Sequence, residues 1–493
     1  MNIKEIVDYI KPVKVINSKD IEVTGICYNS KQAAEGDIFV CLTGEHTDGH
    51  VWAKDAYEKG VQVFMTEKEL DIPAMQLVVD STRMKIAPLA GVFYGFPSKT
   101  LNLIGVTGTN GKTTVTHLLQ KIYEEDNQKC ALIGTLGHKL SSSDTYHDAA
   151  HTTPQAPELQ KVLHKLLTEK INNVAMEVSS HALEQNRVGE CDYKGAILTN
   201  LTQDHLDYHI TMENYFKAKA LLFSRLKPGN WAVINLDDAY AEKFISVIPD
   251  GVKCYTYSTK NPKADFLAKD INFDITGASF VCVNRGSEYE IKLHSNGIFS
   301  VYNALAALAG ASAGGIDLSV AKSALEKTPG VAGRFETVIR EPLVIVDYAH
   351  TPDGLENVLK AARTITPKES NLICLFGCGG DRDATKRPKM GNIAGKLADK
   401  VVVTSDNPRS ENPDLIISDI MAGFEKMDAD RIFVEPDRQL AIKFIAKIAD
   451  KKDVVIIAGK GHEDYQILKD RTIHFNDKEE VLKAFSAVTS GKE

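Results

Sequence analysis

The 493-residue sequence has only eight cysteines, and none of them stand in a C-x-x-C pair. Cys374 and Cys378 are four positions apart, but no second pair completes a zinc-ligand set. Cys27, Cys41, Cys130, Cys191, Cys254 and Cys282 are scattered, so all eight read as reduced thiols rather than a disulfide framework. Long apolar runs are missing too: nowhere do about 18 consecutive apolar residues occur, the length a membrane-spanning helix needs. The opening MNIKEIVDYIKPVK lacks the basic start, apolar core and cleavage site of a secretory leader. A cytoplasmic chain with no membrane partner is therefore expected. Positive charge is also short: 58 Lys and Arg against 66 Asp and Glu leave a net charge of -8. That balance argues against nucleic acid as a partner, although it allows a local basic pocket. Coiled-coil heptads are absent, and a monomer is expected.

What remains is an ordinary globular composition, 43% hydrophobic and 25% charged. At roughly 150 residues per domain the length suggests about three domains. Three blocks emerge. Residues 1–98 hold short strand-like runs (IEVTGICY, GDIFVCL, VQVFMTE, MQLVVD) and end at the turn-forming GFPSKT. Residues 99–332 begin with the apolar run LNLIGV and continue through TTVTHLLQKIYEED. There Val115, Leu118, Leu119, Ile122 and Tyr123 fall on one helix face. Further β-rich runs (CALIG, NNVAMEV, KGAILTN, WAVIN) alternate with helical stretches, which points to a mostly parallel sheet covered by helices. Residues 333–493 repeat the pattern with PLVIVDY, LICLFG, KVVVTSD, RIFVEP and DVVIIAG, continuous apolar runs typical of strands buried on both faces.

Ligands of open parallel sheets bind beyond the carboxyl ends of the strands. The polar clusters of this chain follow strands: Gly108–Thr114, Glu177–His181, Asp204–His209, Asp406–Glu411 and Lys460–Glu463. The segment Gly108, Thr109, Asn110, Gly111, Lys112, Thr113, Thr114 lies between a strand and an amphipathic helix. Its glycines let backbone N–H groups approach phosphate oxygens, and the helix start adds positive potential. Lys112 suits the β- and γ-phosphates and the Thr113 hydroxyl suits Mg²⁺. The strict phosphate-loop pattern is not met, because Val106 stands where its first glycine belongs. The context of strand, loop and helix still specifies an ATP or GTP site.

The loop GVTGTNGKTT, with its Asn110 and doubled threonine, resembles the signature of the Mur ligase family. Similar motifs then cover almost the whole chain: YNSKQAAEGDIFVCLTG, HTTP, MEVSSHAL, NLTQDHLDYH, YFKAKALLF, VAGRFE, VDYAHTPDGL, FGCGGDRDATKRPKMG, DNPRSENP and AGKGHEDYQ. The resemblance implies a three-domain α/β fold. An N-terminal UDP-MurNAc-binding domain (1–98) would precede a central ATP-binding domain with a P-loop ATPase-type parallel sheet (99–332). A C-terminal Rossmann-like domain (333–493) would bring the incoming amino acid. The implied reaction passes a carboxylate of the bound peptide to ATP as an acyl phosphate, which the amine of the amino acid then attacks.

By the same resemblance, Glu177 and His205 are Mg²⁺ ligands with Thr113, and Lys112 and Lys219 complete the catalytic set. Lys219 matches the lysine that the family converts with CO₂ to N6-carboxylysine; by itself it reads as a solvated helical lysine. Asn303, Arg334, Asp347 and His350 resemble ATP-side groups, with Arg334 at a boundary where domain closure would deliver it. Thr152, Thr153, Ser179, Gln185 and Arg187 resemble the residues that hold the UDP-MurNAc-peptide. Ser30 and the stretch Thr43–His50 resemble uridine-side contacts, although Asp48-Gly49 also reads as a plain turn.

The motif Asp406-Asn407-Pro408-Arg409 narrows the amino acid. Meso-diaminopimelate carries a distal carboxylate that lysine lacks, and an Arg offers a planar fork for it. Arg409 and Arg382 supply two guanidiniums, Glu463 the acid for the distal ammonium, and Gly459 a backbone contact. The bland alternative pairs Arg409 with Glu411. The expected substrates are UDP-MurNAc-L-Ala-D-Glu, meso-diaminopimelate and ATP with Mg²⁺. A lysine-adding relative, a folylpolyglutamate synthase and a non-catalytic Mur-like binder are the alternatives. In a folylpolyglutamate synthase the phosphate loop lies near the N-terminus, and a binder would have lost part of the set Lys112, Glu177, His205 and Lys219.

Overall fold

A computed structural model describes residues 1–44, 47–147, 151–274, 276–424 and 429–489. The chain forms three α/β domains, each built on its own large sheet, of five, ten and six strands. In the first, Gly25–Cys27, Asp37–Val40, Val63–Thr66 and Met75–Val78 run parallel, and Lys14–Ile16 adds an antiparallel edge. The helix Ile3–Ile10 starts where Asn2 caps the Lys4 N–H and buries Ile3, Ile6 and Ile10 on one face. Those side chains pack with Ile86, Leu89 and Ala90 of Thr82–Tyr94, a helix capped by Ser81 and stopped by left-handed Gly95.

The middle sheet has a parallel centre in the order Trp231–Asn235, Gly195–Leu198, Asn102–Thr107, Asn173–Glu177, Cys130–Gly134. Along Asn102–Thr107 the period of two sorts the faces. Ile104 and Val106 pack under Lys112–Glu125 and Ile298–Ala313, whereas Leu103 packs with Ala156–Thr168 and Met212–Ser224. The helix predicted in TTVTHLLQKIYEED is present, with Val115, Leu119, Ile122 and Tyr123 buried. Strand order reverses at Asn102–Thr107, so the switch crevice opens at its carboxyl end, where the glycine-rich loop lies.

One part of this sheet differs from the parallel pattern read from the sequence. Phe266–Asp274, Gly277–Asn284 and Ser287–Leu293 form an antiparallel meander at the far edge. It is covered mainly on one face, and its strands carry alternating polar residues, as an open antiparallel edge allows.

In the third domain Leu343–Asp347, Val454–Ala458, Leu372–Phe376, Lys400–Val403 and Ile432–Val434 run parallel in that order, and Glu336–Arg340 pairs antiparallel at the edge. Val344 and Val346 face Arg438–Ile448 and Asp477–Thr489; Ile345 faces Pro352–Ile365 and Arg387–Leu397. Among the described residues no helix is long and apolar enough to cross a membrane. All eight cysteines are free, and Cys254 alone is exposed.

Candidate active site

The phosphate-loop backbone is set by glycines that nothing else could replace. Gly108 lies at φ 151°, where a Cβ would come within 1.8 Å of the Thr199 hydroxyl. Gly111, at φ 88°, begins the helix Lys112–Glu125, and a Cβ there would come within 2.4 Å of Asn303 Oδ1. The loop is pinned from behind: the Thr109 N–H donates to Asn200 O at 2.9 Å and the Asn110 N–H to Asn200 Oδ1 at 2.9 Å. Lys112 Nζ donates back to Gly108 O and Thr109 O, at 2.9 and 2.8 Å. Burial lowers its pKa.

A cavity of about 420 Å³ opens over this loop. Its walls include Asn110, Thr113, Thr114, Glu177, His205, Asn303, Arg334, Asp347 and His350. The structure thus gathers all the sequence-predicted ATP-side residues around one space, apart from Gly108, which starts the loop but does not line the cavity. Glu177 ends its strand fully buried. Its Oε2 accepts from the Thr113 hydroxyl at 3.1 Å and the Thr135 hydroxyl at 3.0 Å, and its Oε1 from the Thr135 N–H at 2.9 Å. His205 sits in left-handed backbone at φ 53°, with Nε2 at 3.3 Å from Asp204 Oδ2. Burial pushes its pKa down to about 3 against the pull of Asp204, so the ring is neutral with a lone pair free. Among the described residues no cluster of three or more His, Cys, Asp or Glu is gathered as a metal site. The donors here are a hydroxyl, a carboxylate and a neutral imidazole, and the two hard oxygens match Mg²⁺.

Lys219 is fully buried, on the inward face of Met212–Ser224. The bland reading of a solvated helical lysine is overturned. Its Nζ donates to Gly108 O at 2.9 Å and lies 4.6 Å over the Tyr215 ring. Burial, reinforced by the Lys112 ammonium, drives its pKa well below the ordinary lysine value.

The third domain is closed on the loop. Arg334 Nη2 donates to the Thr113 hydroxyl at 3.0 Å, and its guanidinium stacks 4.3 Å from the Tyr348 ring centre. Asn110 Nδ2 donates to Asp353 Oδ2 at 2.8 Å, and Lys389 Nζ to Gln203 Oε1 at 2.6 Å. His350 Nε2 lies 3.9 Å from Asp204 Oδ2, and burial lowers the pKa of this imidazole. Asp347 accepts the Phe335 and Ala349 N–H groups at 2.6 and 2.7 Å; desolvation raises its pKa to about 6.

Thr152, Thr153, Ser179, Gln185 and Arg187 form one network beside Glu177. Thr152 Oγ1 lies 3.2 Å from Thr135 Oγ1, and Thr153 Oγ1 donates to Glu177 O at 2.9 Å. Ser179 caps the short helix Ser180–Glu184. Arg187 donates to Thr153 O at 3.1 Å and to Gln185 Oε1 at 3.1 and 2.7 Å, leaving part of its fork for a ligand. Ser30 lies apart, in a second cavity of about 420 Å³ with Gly44, Thr47, Gly49, Trp52 and Arg83. Within Thr43–His50, residues 45 and 46 lie outside the described ones. Asp48 and His50 serve the turn there: Asp48 caps the His50 N–H at 2.9 Å.

On the third domain, Asp406, Asn407, Arg409, Gly459 and Glu463 converge. Asn407 Nδ2 donates to Glu463 Oε2 at 2.9 Å, and a Cβ on Gly459 would come within 2.7 Å of Asp406 Oδ2. Arg409 Nη1 donates only to carbonyls, Gly380 O at 2.7 Å and Asn407 O at 3.4 Å. The Arg409–Glu411 pair is not formed. Glu411 is instead gripped by Arg387 at 2.8 and 2.9 Å, and among the described residues Arg409 has no carboxylate partner. Arg382 is exposed, donates to Asp381 O at 2.8 Å, and is near enough to lower the Arg409 pKa after desolvation. Sequence reasoning missed Lys460, Asp353, Thr135 and Arg387. Lys460, Asp353 and Arg387 stand inside motifs singled out from the sequence; Thr135 acts through a contact with Glu177, distant in sequence.

A phosphate loop at a sheet's switch point, with a second α/β domain closed over it, defines a nucleotide-using enzyme of domain-closing type. Three family models match in order: "Mur ligase family, catalytic domain" over residues 22–90, "Mur ligase middle domain" over 106–311, and "Mur ligase, glutamate ligase domain" over 333–461. A UDP-N-acetylmuramoyl-L-alanyl-D-glutamate--2,6-diaminopimelate ligase of Syntrophomonas wolfei is 44% identical over 93% of this chain and 94% of its own. The ligase of the same name from Bacillus licheniformis is 42% identical over 98% and 99%. A solved structure of such a ligase is 36% identical, with a TM-score of 0.68 over 97% of this chain and 98% of the other. A folylpolyglutamate synthase of Mycobacterium tuberculosis, 17% identical with a TM-score of 0.63 over 77% of this chain and 92% of its own, shares the fold alone. The chain belongs to the Mur ligase family.

Proposed function

We propose that this chain joins meso-2,6-diaminopimelate to UDP-MurNAc-L-Ala-D-Glu, converting ATP to ADP and phosphate through an acyl phosphate. The observation that carries the choice of amino acid is Arg409, a guanidinium without a carboxylate partner among the described residues, beside Asp406, Asn407 and Glu463. A distal carboxylate fits that guanidinium, and the acids fit the distal ammonium. Under this reading residues 1–98 bind the UDP-sugar, 99–332 the ATP, and 333–493 the amino acid. A monomer suffices, since the phosphate loop, Arg334 and Arg409 come from one chain, and soluble substrates place the reaction in the cytoplasm.

The chemistry follows from the charges. A peptide carboxylate oxygen attacks the γ-phosphorus of ATP, and the bond to the leaving ADP oxygen breaks. Both partners are anions, so cations must gather at the join: Lys112, Arg334 and the helix N-terminus stand there. Mg²⁺ held by Thr113, Glu177 and His205 would draw further charge from the phosphate oxygens. Burial disfavours the charged form of the Lys219 amine; its uncharged form is able to bond CO₂ with loss of a proton, giving a buried anionic N6-carboxylysine next to the loop. The amine of diaminopimelate then attacks the acyl carbon, the tetrahedral adduct sheds phosphate, and the amide forms. Closure of the third domain over the loop keeps water from the acyl phosphate.

Phosphate release by the purified protein with ATP, Mg²⁺ and UDP-MurNAc-L-Ala-D-Glu tests the reading, with diaminopimelate or L-lysine offered in parallel. Turnover that depends on diaminopimelate supports it. Equal turnover with lysine removes the selectivity argument and leaves the ligase; no turnover with either removes the reading.

A further inference from the structure

Lys460 is fully buried, yet neither the acyl-phosphate chemistry nor the nucleotide site uses it. It follows the strand Val454–Ala458, and its ammonium joins two segments, the Asp406–Asn407 loop and the Glu463–Tyr465 stretch. Nζ donates to Asn407 Oδ1 at 2.9 Å, to Tyr465 O at 2.7 Å and to Glu463 Oε2 at 3.4 Å, and lies 3.5 Å from Asp406 Oδ1. With three N–H donors and three acceptors in place, it has none left for a substrate. Asn407 Oδ1 also accepts the Ile467 N–H at 3.0 Å, and the Arg409 N–H donates to Ile467 O at 3.1 Å. One ammonium therefore ties the loop bearing Asp406, Asn407 and Arg409 to the loop bearing Glu463 and to the hairpin Tyr465–Ile467/Thr472–His474.

We infer that Lys460 is a positioning residue that sets the spacing between Glu463 and Arg409 and so the recognition of an amino acid whose far end carries both an ammonium and a carboxylate. This rests on the proposed ligase reading. The charge count makes the case. Asp406 and Glu463 are two acids side by side, mostly enclosed, and with no cation they would repel each other and swing apart. Lys460 between them leaves a single net negative charge, matched by one incoming ammonium. The Glu463 carboxylate is then fixed by Asn407 and Lys460 in one rotamer before the ligand arrives, which lowers the ordering cost of binding.

The test compares wild type, Lys460→Met, Glu463→Gln and the double variant by steady-state phosphate release. KM is measured separately for diaminopimelate, ATP and the UDP-dipeptide. Lys460→Met is expected to raise KM for diaminopimelate about tenfold or more, the scale of losing a hydrogen bond to a charged group. KM for ATP and for the UDP-dipeptide stays within about twofold, as independent sites allow. The double variant loses little more than either single one, because both changes disable the same carboxylate. Lys460→Arg, which keeps the cation, recovers part of the loss. An unchanged KM for diaminopimelate, additive losses, or equal rises in all three KM values overturns the inference. If Lys460→Met does not fold, Lys460→Gln, a shorter polar replacement, is held to the same pattern. Failure of the ligase reading is distinguishable, because wild type itself would then release no phosphate.

Discussion

Replacing Arg409 by alanine removes a guanidinium on which the fold leans lightly. Gly380 O loses a donor, whereas Asn407 O keeps the Gly380 N–H at 2.9 Å. No acid is stranded, because Glu411 stays with Arg387, and Asp406 and Glu463 stay with Lys460. The effect therefore reports the bound carboxylate and not an orphaned partner, the usual confusion when one side of a charge pair is deleted. A hydrogen bond to a charged group contributes about 1.5–3 kcal/mol. At about 2 kcal/mol, kcat/KM for diaminopimelate falls about 30-fold. Lysine has no distal carboxylate, so its kcat/KM changes less than about threefold, and the preference between the two collapses. Arg409→Lys falls between, since a point charge cannot make the two-pronged contact. The assay is phosphate release with each amino acid, saturating in ATP and UDP-dipeptide. Equal losses for both amino acids, or a loss confined to the KM of the UDP-dipeptide, would refute the reasoning.

Lys219→Met is expected to cut phosphate release by about a hundredfold or more, the scale of deleting one preorganised charge. Under ¹³CO₂ the wild type shows a carbamate ¹³C resonance that this variant lacks, and a silent wild type removes the modification. Asp347 has its folded pKa raised to about 6, against an ordinary value near 4. Between about pH 4 and 6 the folded chain keeps a proton that the unfolded chain has released. Its contribution to stability therefore falls as pH rises through that window, by up to about 3 kcal/mol. Urea unfolding across that range should show wild type losing stability relative to Asp347→Asn; parallel curves would contradict it. Arg438 and Asp477 form a pair buried on both sides, with two contacts of 2.7 Å. Asp477→Asn leaves the guanidinium uncompensated and should lower unfolding stability by about 3–5 kcal/mol, whereas a loss under about 1 kcal/mol would mean the pair is dispensable.

The parts of the molecule legible in the sequence are those fixed by local pattern. LNLIGV, CALIG, NNVAMEV and VVIIAG are apolar runs with no polar phase, and each became a strand buried on both faces. The phosphate loop was legible because its glycines have no other job at that spacing. The antiparallel meander from Phe266 to Leu293 was not anticipated: its half-exposed strands alternate polar and apolar residues instead of running apolar throughout, and a register shift between Lys269 and Asn272 breaks the period in the first of them. At the site, residue types and motif order named residues that the fold brings around one cavity. Which acid pairs with which base did not follow. Glu411 stands two residues from Arg409 yet belongs to Arg387, and Lys460, legible only as the start of a polar cluster after a strand, lies fully inside and pairs with Asp406 and Glu463. Such partners are set by the packing of distant segments, which no local spacing encodes.

The two ends of the reaction are joined by one short run of side chains. Arg334 touches Thr113 at the phosphate loop and stacks on Tyr348, whose hydroxyl faces Glu463 Oε1 at 3.5 Å and whose ring lies 5.0 Å from that of His462. Arg334 moves with the third domain, because the Tyr348 N–H donates to Gly333 O at 3.0 Å and the Phe335 N–H is bound by Asp347. Glu463 moves with it too, held through Lys460 and Asn407. On the proposed reading, the cation that would meet the phosphates and the acid that would meet the amino acid therefore travel as one body. An opening that removes Arg334 from Thr113 also carries the amino-acid site away from the loop. On that reading, closure would deliver the nucleophile and the neutralising charge together, at the step where an acyl phosphate must meet an amine before it meets water.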